Sequence, residues 1–100
     1  MLVVELFFGR ANVSDAAWQQ FATQTLTVRF PDGFSTWDAA GQWRAAPDKP
    51  ISREASKLVI IAADDSATSR ARLEAVMADY RTRFNQQSVG IVLNRACAAF

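Results

Sequence analysis

Leu2-Val3-Val4-Glu5-Leu6-Phe7-Phe8, closed by Gly9, is a run of bulky, β-branched and aromatic residues with one carboxylate in its middle. That composition, ended by a glycine, reads as a β-strand. Alternation places Leu2, Val4, Leu6 and Phe8 on one face and Val3, Glu5 and Phe7 on the other. Both faces are apolar apart from Glu5, so each needs something to cover it.

Outward from this strand the chain changes period. Ser14 is placed to cap a helix, and Asp15 sits where negative charge suits the helix dipole. Trp18, Phe21, Ala22, Thr25 and Leu26 then recur at three- and four-residue spacing. Phe30-Pro31-Asp32-Gly33 ends the helix in a turn. Phe34–Ala39 reads as a second strand that Gly41-Gln42-Trp43-Arg44 extends. Pro47 and Pro50 make Ala45–Ile51 a loop. Ser52–Ala63 is a third strand, whose centre Leu58-Val59-Ile60-Ile61 has the continuous apolar run of an interior strand. Asp64-Asp65-Ser66 signals a second helix. Leu73, Val76, Met77, Tyr80 and Phe84 mark its inner stripe, and Asn85-Gln86-Gln87 its end. Ser88–Leu93 is a fourth strand.

The order βαββαβ predicts an α+β, ferredoxin-like domain spanning residues 1–100. Right-handed crossovers give an antiparallel four-stranded sheet of order 4-1-3-2 with both helices on one face. The helix stripes would cover Leu2, Val4, Leu6, Phe8, Leu58, Ile60, Val89, Ile91 and Leu93. The opposite face would carry Val3, Glu5, Phe7, Lys57, Val59, Ile61 and Val92, with Trp37. A patch that apolar marks an interaction site. The expectation is a homodimer through the open sheet face, a dimeric α/β barrel, with Val3, Phe7, Val59, Ile61 and Val92 in the interface. A pocket for a small organic or anionic ligand between the sheets is the functional form of the same expectation.

Composition narrows the chemistry. The 100 residues contain no histidine and one cysteine, Cys97, and the formal net charge is +1. Triads built on histidine, imidazole metal sites and thiolate clusters are therefore unavailable, and the expectation is no metal and no cofactor. A near-neutral balance gives no field for nucleic acid or an anionic membrane. No apolar run is long enough to span a bilayer, and the first residues lack the basic and cleavage regions of a signal peptide. As it stands the chain reads as cytoplasmic, or as exported if a preceding segment was removed.

Several residue groups carry both a functional and a structural reading. Glu5, Lys57 and Arg53 on the open face are candidate acid, base or anchor groups, or an ion pair that fixes dimer register. Arg10, after Gly9 and beside a helix start, would grip a carboxylate or phosphate, or pair with Asp15, Asp32 or a backbone carbonyl. Trp37, Trp43 and Arg44 suit a planar ligand or an interface. Asp64 and Asp65 read as caps rather than metal ligands, and Cys97 as a buried structural thiol. The RNA-recognition pattern is missing from Ser56-Lys57-Leu58-Val59-Ile60-Ile61.

Five phrases resemble the bacterial DUF3574 proteins, a family of unknown function. They are Val4-Glu5-Leu6-Phe7-Phe8-Gly9-Arg10, Val13-Ser14-Asp15-Ala16-Ala17-Trp18, Arg29-Phe30-Pro31-Asp32-Gly33-Phe34, Gly41-Gln42-Trp43-Arg44 and Arg53-Glu54-Ala55-Ser56-Lys57. The resemblance covers most of the chain in order. It implies relatives that are longer and carry an N-terminal export segment. It implies no substrate and no catalytic residue. Two functions from different classes remain. One is a homodimeric binding or assembly domain. The other is a cofactor-independent dimeric-barrel enzyme, isomerase- or monooxygenase-like, working through Glu5, Lys57 and Arg53.

Overall fold

A computed structural model describes residues Met1–Phe100. Strand β1 (Leu2–Gly9) is central and pairs antiparallel with two neighbours, β3 (Ile51–Ala63) and β4 (Gly90–Arg95). Strand β2 (Ser35–Arg44) pairs antiparallel with β3 at the edge, giving the order β2-β3-β1-β4. This is the ferredoxin-like α+β topology read from the sequence.

The first helical stretch has three parts: α1 (Asp15–Phe21), a π-helical turn (Ala22–Leu26) and α2 (Thr27–Arg29). The Ser14 side chain accepts from the Ala17 backbone N–H at 3.1 Å, which satisfies an otherwise orphaned donor. The wider π turn brings Phe21, Ala22, Thr25 and Leu26 to the core together. Thr25 is held there by donating to Asp79 at 2.7 Å. Helix α3 (Ala67–Phe84) begins at Ser66, which accepts from the Ser69 N–H, and ends at Asn85 in the left-handed region. The cap is thus Ser66 alone. Asp65 instead receives Arg70 at 2.7 Å and Arg95 at 2.6 Å, and those two hydrogen bonds, in that order, hold its carboxyl below the usual range.

Both helical segments cover one face of the sheet. Its core centres on Phe8, whose ring lies 4.6 Å from Tyr80, 5.3 Å from Trp18 and 5.7 Å from Phe21 between centroids. Leu2, Val4, Leu6, Leu26, Leu73 and Val76 complete it.

The third strand has the opposite parity from the sequence expectation. Val4 stands opposite Ile61, Leu6 opposite Val59, and Phe8 opposite Lys57. Val59 and Ile61 are therefore beneath the helices, 0% and 1% exposed, and cannot belong to an open-face interface. Leu58 and Ile60 take their place on the uncovered side. Lys57 lies on the helix side, not beside Glu5.

Beyond Gly9, β1 has no more residues to pair with β3. From Ala40 opposite Ala55 to Arg44 opposite Ile51, β2 and β3 continue as a two-stranded arm. Pro47 and Asp48 turn its tip, closed by Lys49 N–H to Ala46 carbonyl at 3.0 Å. The extents, 45 × 28 × 22 Å, and a radius of gyration of 14.5 Å reflect this arm. A compact chain of this length measures about 13 Å.

Candidate functional site

Two places concentrate unusual side chains: the uncovered face of the sheet, and a charged cluster where β1 ends.

The uncovered face follows from register alone. Trp37, Leu58, Phe7 and Gly90 form one row across the four strands. Ser35, Ile60, Glu5 and Val92 form the next, and Ala62, Val3 and Asn94 a third. Phe7 is 39%, Trp37 43% and Val92 42% exposed, large values for side chains of this size within a sheet. Gly90 is bare for a reason: a Cβ there would meet Phe7 Cβ at 3.2 Å and Cδ2 at 3.3 Å, so the Phe7 ring lies across β4. Glu5 sits half-buried at the middle of this surface without an ion pair or side-chain hydrogen bond.

The charged cluster joins four elements. Arg10 is largely buried and is held by the Val13 carbonyl, which accepts from Nε at 3.4 Å and Nη2 at 3.3 Å. It also pairs with Asp15 and, at 3.3 Å, with Asp38. Lys57 Nζ reaches the same Asp38 oxygen at 2.7 Å. The hydrogen bond from Lys57 and its charge, then Arg10, keep the Asp38 carboxyl below its ordinary range. The side-chain hydrogen bond to Asp15 leads in holding the Arg10 guanidinium protonated. Both carboxylates are exposed while both cationic side chains are mostly covered, so the cluster ties β1, α1, β2 and β3 together at a rim.

Tyr80 approaches from α3 beneath this cluster and donates its hydroxyl to the Gly9 carbonyl. Glu54 approaches from β3 and accepts from the Ala11 N–H at 3.3 Å. Gly9 is needed for that approach, because a Cβ would meet Glu54 Oε1 at 2.7 Å. Sequence reading found Gly9 only as an exit. The Tyr80 and Glu54 contacts were not legible, because each depends on which strand end β1 and β3 share.

Tyr80 also has a titration signature. Burial pushes its phenol up to about 12, with Glu54 adding to the rise and Arg10 opposing it. The folded value lies above the unfolded one, so this group contributes stability in full below about pH 10 and loses it as pH climbs toward 12. Tyr80 is the only tyrosine, so an ultraviolet absorbance titration reads it alone. A midpoint near 12 is expected, and a midpoint near 10 contradicts the buried placement.

The other expected site residues scatter. Glu5 and Lys57 are on opposite faces, and Arg53 is out on the arm, donating to Gln42 at 3.1 Å. These three form no common site. Trp37 and Trp43 share a face but stand about 20 Å apart along the strand. Arg44 points the other way and donates to the Pro47 carbonyl at 3.2 Å. Cys97 is exposed rather than buried, because β4 ends at Arg95 and the following residues leave the sheet. A further cleft of about 640 Å³ lies at the far end of β1 and β3, lined by Arg29, Phe34, Asp64, Arg72 and Phe100 among others. No helix is long and apolar enough to cross a membrane.

The molecule is a four-stranded ferredoxin-like domain with one bare sheet face. Residues 4–100 match the model of the family described as protein of unknown function (DUF3574), and the chain belongs to that family. No curated protein matches it. Among solved structures it is similar to a phage SAM lyase in complex with S-methyl-5'-thioadenosine, at 18% identity and a TM-score of 0.66. That likeness covers 93% of this chain and 79% of the lyase chain. The lyase in its apo state matches equally, at 18% identity and TM-score 0.66, over 93% and 78% of the two chains. At that identity the likeness concerns the fold.

Proposed function

We propose that this domain is a homodimeric binding module, in which a second copy covers the open sheet face and a small molecule is held between the two sheets. The observation that carries this reading is the row Trp37–Leu58–Phe7, with Ile60, Val3 and Val92 beside it, on a surface that neither helical segment covers. Surface area supports it. A folded monomer of 11.0 kDa exposes about 5,600 Å². This chain exposes 6362 Å². The excess of roughly 760 Å² is close to the ~800 Å² that each partner buries in a standard interface. A two-stranded arm is marginal without further packing, and Trp43, 51% exposed, is unsupported on it.

Hydroxyl-radical footprinting tests which surface associates. Oxidation of Phe7, Trp37 and Leu58 is expected to fall as protein concentration rises, while Val28 on α2 stays reactive. Equal reactivity of the open face at every concentration rules the reading out.

A second reading draws on the fold likeness. A domain of this shape acts as a lyase on SAM in the phage protein, so a related activity is worth one assay. Incubation with SAM and chromatography for S-methyl-5'-thioadenosine decides it, and absence of product removes this reading without touching the first.

A further inference from the structure

Among the strand positions on the uncovered face there is no lysine and no arginine. Lys57, Arg53, Arg44 and Arg95 all fall on the other parity. The face carries two charges, Glu5 at its centre and Glu54 at its rim, and both are negative. Glu54 is occupied by the Ala11 N–H. Glu5 has no partner.

This matters once a second copy covers the face. Glu5 lies midway along a central strand, flanked by Ile60 and Val92 across the sheet and by Val3 and Phe7 along the strand. A two-fold packing of face on face then puts a Glu5 from each copy into one apolar layer. Burying an unpaired carboxylate costs several kcal/mol, and two like charges cost more. The partner's face is identical, so it brings no cation. Association by this face is therefore weakened by its own carboxylates unless they take up a proton, and a positive charge from outside the chain strengthens it.

Resting on the homodimer reading, we infer that the covered sheet face is a binding site for a small organic cation, with Glu5 as its counter-charge. The chemistry of the surroundings selects that class. A calcium ion takes about six to eight oxygen ligands, and no group of three or more carboxylate, histidine or cysteine side chains converges anywhere in the chain. The groups beside Glu5 are instead apolar and aromatic. Phe7, two residues along the strand from Glu5 and 39% exposed, supplies an aromatic ring of the kind that attracts cations, and Ile60, Val3 and Val92 offer surface to an apolar body. A quaternary ammonium or sulfonium group attached to a hydrophobic or planar body fits both demands.

The test uses choline and its uncharged isostere 3,3-dimethylbutan-1-ol as probes, with sedimentation equilibrium as the readout, on the wild type and Glu5→Gln. Choline in excess is expected to raise the wild-type association constant by about tenfold or more, since it binds the assembled form preferentially. The alcohol is expected to do nothing. Glu5→Gln removes the charge at constant size, so it should associate without choline and ignore both probes. A wild type that dimerises with no response to choline, or responds equally to the alcohol, overturns the cation site and leaves the homodimer standing. Wild type and Glu5→Gln that both stay monomeric under every condition overturn the homodimer, and the cation site with it.

Discussion

Phe8→Ala is expected to destabilise the domain by about 3–5 kcal/mol, the usual cost of deleting a buried aromatic ring. Phe8 is 0% exposed and touches Trp18, Phe21 and Tyr80, so one substitution opens contacts to both helical segments. Aromatic pairs add about 0.5–1.5 kcal/mol each beyond their buried area. The Tyr80 ring would also lose the wall that aims its hydroxyl at Gly9, loosening the end of β1 where the charged cluster is anchored. Small domains are stable by only about 5–15 kcal/mol, so the variant should show a much lower urea midpoint with little native population to spare. A loss below about 1 kcal/mol would mean that the aromatic cluster does not hold the helices to the sheet.

The second large effect separates two adjacent residues. Val59→Asp places an unpaired carboxylate in the apolar core under the helices and is expected to cost about 3 kcal/mol or more, enough to leave the chain largely unfolded. Leu58→Asp, one residue earlier, puts the same group on the uncovered face between Trp37 and Phe7. It is expected to change monomer stability by about 1 kcal/mol or less, because water still reaches that side. It should instead abolish association. Urea unfolding and sedimentation on the two variants read the two outcomes. If Leu58→Asp unfolds the chain while Val59→Asp is tolerated, the parity described for β3 is reversed.

That pair also marks where the sequence stopped being informative. In β1, the single Glu5 within an apolar run and the turn at Gly9 made both faces readable, and the faces are as expected. In β3, Leu58-Val59-Ile60-Ile61 are four apolar residues in succession, and alternation says nothing about which two point inward. The expectation reversed them and carried Lys57 to the wrong side. A signal was available in the hairpin. Pro47 and Asp48 occupy the turn, and centring β2 and β3 on that pair sets Trp37 opposite Leu58 and Asp38 opposite Lys57. The element order, the Ser14 cap and the helix stripes were legible because each rests on local spacing, whereas the second cap, expected at Asp64 and Asp65, is Ser66. The π turn, the Tyr80–Gly9 contact and the Glu54–Ala11 contact were not, because they depend on how separate elements meet. The uncovered apolar face survived the reversal only because both parities of β3 are apolar. Leu58 and Ile60 do there what Val59 and Ile61 were expected to do.

Sedimentation equilibrium of the wild-type chain over the micromolar range tests the face most directly. The expected result is a species of twice the 11.0 kDa chain mass that reverts to the single mass in Leu58→Asp. A wild type that keeps the single mass throughout that range, with and without an added organic cation, would contradict it.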